Sequence, residues 1–67
     1  MKLLVNGEEK VLDCKNIALF EFLTMQNIFF DYVAVAVNLK FIPQNEYKNF
    51  ELKEGDDIEI LSPMHGG

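Results

Sequence analysis

Asp57-Ile58-Glu59-Ile60-Leu61-Ser62-Pro63-Met64-His65-Gly66-Gly67 is the last stretch of the sequence, and the rest of the chain is read outward from it. Its first five residues alternate charged and apolar, the period-2 signature of a strand with one covered face. Pro63 has no N–H to offer a ladder, so pairing is expected to stop there. The five residues from Pro63 to Gly67 reach on the order of 16 Å at about 3.3 Å per residue, enough to enter a recessed site on another protein. Two glycines without Cβ allow the backbone to pass close to a partner's walls with either sign of φ. The expected organisation is a folded domain over 1–62 and a flexible C-terminal tail over 63–67 that ends in Gly66-Gly67.

The opposite end supplies a matching strand. Lys2 to Val5 is apolar, and Asn6-Gly7 favours a two-residue type I′ hairpin, since both positions tolerate φ > 0. Glu9 to Asp13 is expected to return as the second strand. Met1, Leu3 and Val5 then face inward, leaving Leu4 as a lone apolar residue outside, which is ordinary. Ile17 to Asn27 has helix length, with Asn16 as N-cap but Leu19 where a capping box would need Glu or Gln. Two apolar stripes compete there. Ile17, Phe20 and Leu23 are assigned to the core, and Ala18, Phe22 and Met25 are left unassigned.

Tyr32 to Val37 alternates large and small apolar residues and reads as an interior strand. Asn38 marks a turn, and Leu39 to Ile42 a short strand that Pro43 confines to an edge. Gln44 to Asn49 is a polar connection, and Glu54-Gly55-Asp56 a turn before the final strand. One helix laid across a mixed sheet is the economical cover for a single apolar face. The first and last strands cannot share a hairpin, but they can lie parallel at the sheet centre. That arrangement is an α+β, ubiquitin-like β-grasp: four to five strands in a mixed sheet with one main helix packed across it.

Composition narrows the chemistry. Sixty-seven residues, 49% hydrophobic with six Phe, suffice for one core and leave little over for an elaborate site. Eleven acidic residues against six lysines give a net charge of −5, which disfavours nucleic acid and favours partners with basic surfaces. The longest apolar stretch, Ile28 to Val37, is interrupted by Asp31 and too short for a bilayer, and no targeting segment is visible. A cytoplasmic location without membrane attachment is expected. Cys14 and His65 alone cannot form a four-ligand metal cage, and a single Cys forms no internal disulfide.

Cys14 is expected to be part-buried and inert, and Tyr32 and Tyr47 to pack. His65 lacks an orienting partner, so it reads as a docking contact or bystander rather than a catalyst. Glu54, Asp56, Asp57 and Glu59 lack the spacing of a calcium loop; a solvated turn is the first reading and an acidic docking surface the second. With no acid–base pair, the chain is not expected to be an enzyme. The remaining reactive group is the Gly67 carboxylate, a poor electrophile until an oxygen becomes a leaving group. Adenylation by ATP would achieve that, and a sulfur nucleophile attacking the carbonyl would leave a thiocarboxylate. With no Arg and no Gly-rich loop followed by Lys, the chain holds no nucleotide itself. No bound cofactor is expected, and ATP belongs to a partner.

Across nearly its whole length the chain resembles the ThiS family, the sulfur carriers of thiamine biosynthesis. The resemblance rests on Leu4-Val5-Asn6-Gly7, Val33-Ala34-Val35-Ala36-Val37-Asn38 followed by Ile42-Pro43, Leu52-Lys53-Glu54-Gly55-Asp56 with Ile58-Glu59-Ile60, and Gly66-Gly67. Pro63, His65 and a heavily apolar helix depart from the family pattern. The resemblance implies that an E1-like adenylyltransferase activates Gly67, with Pro63, Met64, His65 and Gly66 as the recognised tail. It further implies that a cysteine desulfurase or sulfurtransferase relay supplies sulfur, and that thiazole synthase receives it from the thiocarboxylate. The rival readings are a molybdopterin-type or other β-grasp sulfur carrier, and a ubiquitin-like modifier or passive interaction module.

Overall fold

A computed structural model describes residues 1–28 and 33–62. Strands β1 (Lys2–Val5) and β2 (Glu8–Val11) form the expected antiparallel hairpin. Its turn residues Asn6 and Gly7 have φ of 51° and 86°, the positive pair that a type I′ turn requires. β2 starts one residue earlier than expected and stops at Val11 instead of Asp13. Met1 is the last residue opposite it: the Leu12 N–H donates to the Met1 carbonyl at 2.7 Å, and the Met1 ammonium donates to Leu12 O at 2.8 Å. Leu4, expected outside, is half-buried.

A two-residue strand, β3 (Ile17–Ala18), precedes helix α1 (Leu19–Met25). It corrects the helix expected over Ile17 to Asn27 with Asn16 as N-cap. Ile17 and Ala18 pair antiparallel with Leu52 and Glu51 of a distant strand, β6 (Glu51–Leu52), so the helix begins two residues later, with Ala18 at the N-cap. Long-range pairing here overrides the local start signal. The first helical N–H groups go to loop carbonyls: Leu19 donates to Phe50 O at 2.8 Å and Phe20 to Tyr47 O at 3.0 Å. Glu21 Oε1 accepts the Ala18 N–H at 3.3 Å, half of a capping box for which Ala18 has no oxygen to return.

The helix ends in a Schellman arrangement. Asn27 takes φ 59°, its N–H donates to Thr24 O at 3.0 Å, and the Ile28 N–H donates to Leu23 O at 3.0 Å. Leu19, Phe22 and Leu23 are fully buried, whereas Met25 is exposed. The stripe assignment is therefore corrected: Phe22, left unassigned, is core, and Phe20 lies half-buried at the rim beneath the Lys48 ammonium, 5.0 Å from the ring centre. Shifting the helix start reorients which side chains meet the sheet.

β4 (Ala34–Val37) and β5 (Lys40–Ile42) form the second hairpin, with β5 at the sheet edge before Pro43. Tyr32, expected to open β4, lies outside the described residues. Leu39, expected in β5, is instead the second turn residue, with φ 70° beside Asn38 at 53°. The connection expected over Gln44 to Asn49 contains a 3₁₀ turn, Gln44–Glu46. Tyr47 follows it into the core, where burial raises its phenol above the ordinary tyrosine range. β7 (Asp57–Leu61) is the expected final strand.

Five strands form one mixed sheet in the order β2-β1-β7-β4-β5, with β7 parallel to β1 and antiparallel to β4. This is the β-grasp architecture read from the sequence, with a β3–β6 ribbon added. Leu3, Val5, Val35, Val37, Ile42 and Ile58 turn toward α1 and close the core with Leu19, Phe22 and Leu23. Among the described residues, no helix is long and apolar enough to cross a membrane.

Two substitutions test this packing by urea unfolding. Phe22→Ala should cost about 3–5 kcal/mol, most of a small domain's stability, whereas Phe20→Ala should cost well under half of that. Leu39→Gly should stabilise the chain by about 0.5–1 kcal/mol, because the side chain is 84% exposed and its left-handed backbone is strained.

Candidate functional site

The candidate site adjoins the C-terminal end of β7. β7 is the middle strand, held on one side by β1 through Leu4 opposite Asp57 and Val5 opposite Ile58. On its other side, Ala34 to Val37 of β4 oppose Leu61 to Ile58. Ser62, the last described residue before the tail, is exposed. Pro63, Met64, His65, Gly66 and Gly67, the expected site residues, lie outside the described residues.

On the sheet face away from α1, a small apolar patch adjoins this end. Ala36 stands between Phe41 of β5 and Glu59 of β7, and Ala34 stands opposite Leu61. Ala36 is only 3% exposed, while Phe41 and Leu61 are 64% and 51% exposed. Sequence reasoning missed Phe41 and Leu61 as surface features, because alternation places them outside without telling which outside residues cluster.

The acidic residues of the preceding turn have structural partners. Glu54 accepts the Lys2 N–H with both carboxylate oxygens at 3.1 Å. Asp56 accepts the Lys53 N–H at 2.8 Å and the Asn38 Nδ2–H at 3.0 Å. Gly55, at φ 85°, donates to Lys2 O at 2.7 Å, which draws this turn against β1. Glu59 stays exposed on the outer face. Among the described residues, no cluster of His, Cys, Asp and Glu is fit to hold a metal. Cys14 is half-buried against the core, as expected of a packing residue. A surface depression lined by Phe20, Gln44, Asn45, Tyr47 and Lys48 contains no carboxylate, thiol or imidazole.

Sequence reasoning also missed a second use of two turn asparagines. Asn6 Oδ1 accepts the Ile60 N–H at 2.8 Å, and Asn38 Oδ1 accepts the Asp57 N–H at 3.0 Å. Each reaches from a hairpin turn to the β7 backbone. Their role as turn formers is legible in sequence; the reach depends on strand register.

Comparison with known proteins resolves the family. The family model described as "ThiS family" matches residues 2–67. The chain belongs to the ThiS family. It is similar to the crystal structure of a thiamine biosynthesis protein (ThiS) from Geobacter metallireducens, with a TM-score of 0.89, 29% identity and full coverage of both chains. It is also similar to the NMR solution structure of a thiamine biosynthesis protein from Geobacter metallireducens, with a TM-score of 0.82 and 29% identity, covering 100% of this chain and 88% of that one. No curated protein matches the sequence.

The outer face invites a stability test. Phe41→Ser should leave the urea unfolding free energy within about 0.5 kcal/mol of wild type. Ala36→Asp, one strand away, should cost about 3 kcal/mol by placing a charge at a nearly closed position beside Glu59.

Proposed function

We propose that the chain is a sulfur carrier in the making of the thiamine thiazole, acting as a protein co-substrate and not as an enzyme. Membership of the ThiS family, joined to a sequence that ends in Gly66-Gly67, six residues beyond the end of the central strand, is the observation that supports this reading most. The working group is the Gly67 carboxylate. A carboxylate oxygen attacks the α-phosphorus of ATP held by an E1-like adenylyltransferase, and pyrophosphate leaves. Hydrosulfide sulfur then attacks the acyl carbon, AMP leaves, and the thiocarboxylate remains. When a desulfurase or sulfurtransferase persulfide is the nucleophile, a second thiol must reduce the resulting acyl disulfide. Thiazole synthase then takes the sulfur.

Every catalytic group in this sequence belongs to partners. The chain's contribution is presentation, with Pro63, Met64, His65 and Gly66 as the recognised peptide. The apolar patch of Phe41 and Leu61 beside acidic Glu59 suits a partner surface with an apolar centre and a basic rim.

Mass spectrometry of the chain incubated with the adenylyltransferase, ATP and a sulfur donor tests the reading. The expected product is heavier by the difference between one sulfur and one oxygen, located at Gly67, and deletion of Gly67 should abolish it. An isopeptide bond to lysine would instead identify a protein modifier.

A further inference from the structure

The β1–β7 ladder stops before β7 does. Leu4 N–H donates to Asp56 O at 2.9 Å and Asn6 N–H to Ile58 O at 2.8 Å. In a regular parallel pair the next rung would join the Ile60 N–H to the Asn6 backbone carbonyl and Ile60 O to the N–H two residues on, but the chain has already turned back at Asn6-Gly7. The Asn6 carboxamide occupies that rung. Its Oδ1 accepts the Ile60 N–H at 2.8 Å, and its Nδ2 donates to Ile60 O at a long 3.4 Å. A side chain thus extends the ladder toward the tail.

Asn38 makes a comparable clamp at the other end of the same strand. Its Oδ1 accepts the Asp57 N–H at 3.0 Å, its Nδ2 donates to Asp56 Oδ1 at 3.0 Å, and its own N–H donates to Asp57 O at 2.7 Å. Both asparagines have positive φ, 51° and 53°, so glycine can replace either without backbone strain. The two differ chiefly in which end of β7 they hold.

We propose that Asn6 is a positioning residue for the C-terminal carboxylate, keeping β7 in its ladder through Ile60 so that the tail starts from a fixed point. This rests on the reading of Gly67 as the activated group. Without the carboxamide, the end of β7 is held by β4 alone, and docking into the partner must re-order backbone that the wild type presents already ordered. Fixing one residue's backbone corresponds to about tenfold in an equilibrium constant. Because that cost falls on docking, it raises KM and leaves kcat unchanged.

The test is ATP–pyrophosphate exchange by the cognate adenylyltransferase with the full-length chain as varied substrate, alongside amide hydrogen exchange. Asn6→Gly should raise KM for the chain about tenfold at unchanged kcat, and the Ile60 amide should lose protection while Ile58 keeps its own. Asn6→Asp retains the 2.8 Å acceptor and should return KM to within about twofold of wild type. Asn38→Gly should lower the unfolding midpoint comparably and leave KM unchanged. The inference is overturned if Asn6→Gly leaves KM at the wild-type value, or if Asn38→Gly raises it as much. Exchange that requires Gly67 but is indifferent to Asn6 overturns this inference alone. Exchange that persists after deletion of Gly67 overturns the carboxylate reading and this inference with it.

Discussion

The fold depends on the parallel pairing of β1 with β7, which joins the two ends of the sequence at the centre of the sheet. No hairpin can supply this contact, and closing so long a loop costs backbone entropy that local structure does not return. The burial of Leu3, Val5 and Ile58 offsets it, together with the Gly55 and Lys2 hydrogen bonds that draw the last turn against β1. Each local hairpin attaches through one of these two strands. The β1–β2 hairpin enters through β1, the β4–β5 hairpin pairs with β7, and α1 covers the face they share. Loss of the central pairing would leave two hairpins, each marginal alone in water.

That dependence is matched by the way β7 itself is held. A C-terminal strand at a sheet edge could peel away under the pull of a partner. β7 has neighbours on both sides, and its two ends are tied by carboxamides from the two flanking turns. Its place in the sheet is thus over-determined up to Ile60.

Much of this was legible in the residues. Alternation identified β7 to the residue, and an apolar run closed by the Asn6-Gly7 turn did the same for β1. Legibility failed where distant backbone competed with local signals. The β3–β6 ribbon took Ile17 and Ala18 from the expected helix, and with them the assignment of Phe22 and Phe20 to core and rim. Leu39 escaped notice because a branched side chain is an unexpected occupant of a left-handed turn position. For the candidate site, the terminal glycines, which lie outside the described residues, could be singled out from the sequence alone. The clamp by Asn6 could not, since an asparagine at a turn looks the same whether or not its amide meets another strand.

A chain this short has little interior to give to a site. Among the described residues the buried set is hydrophobic, and no buried side-chain polar atom lacks a partner. A buried acid–base pair or nucleotide pocket would displace apolar area from a core that already includes Phe22, Leu19 and Tyr47, in a size class where stability is marginal. Room for reactive chemistry inside so small a folded body is correspondingly scarce. What the body can supply is geometry. It fixes β7 at the centre of the sheet, with an outer face on which Leu61 of that strand and Phe41 of β5 are exposed.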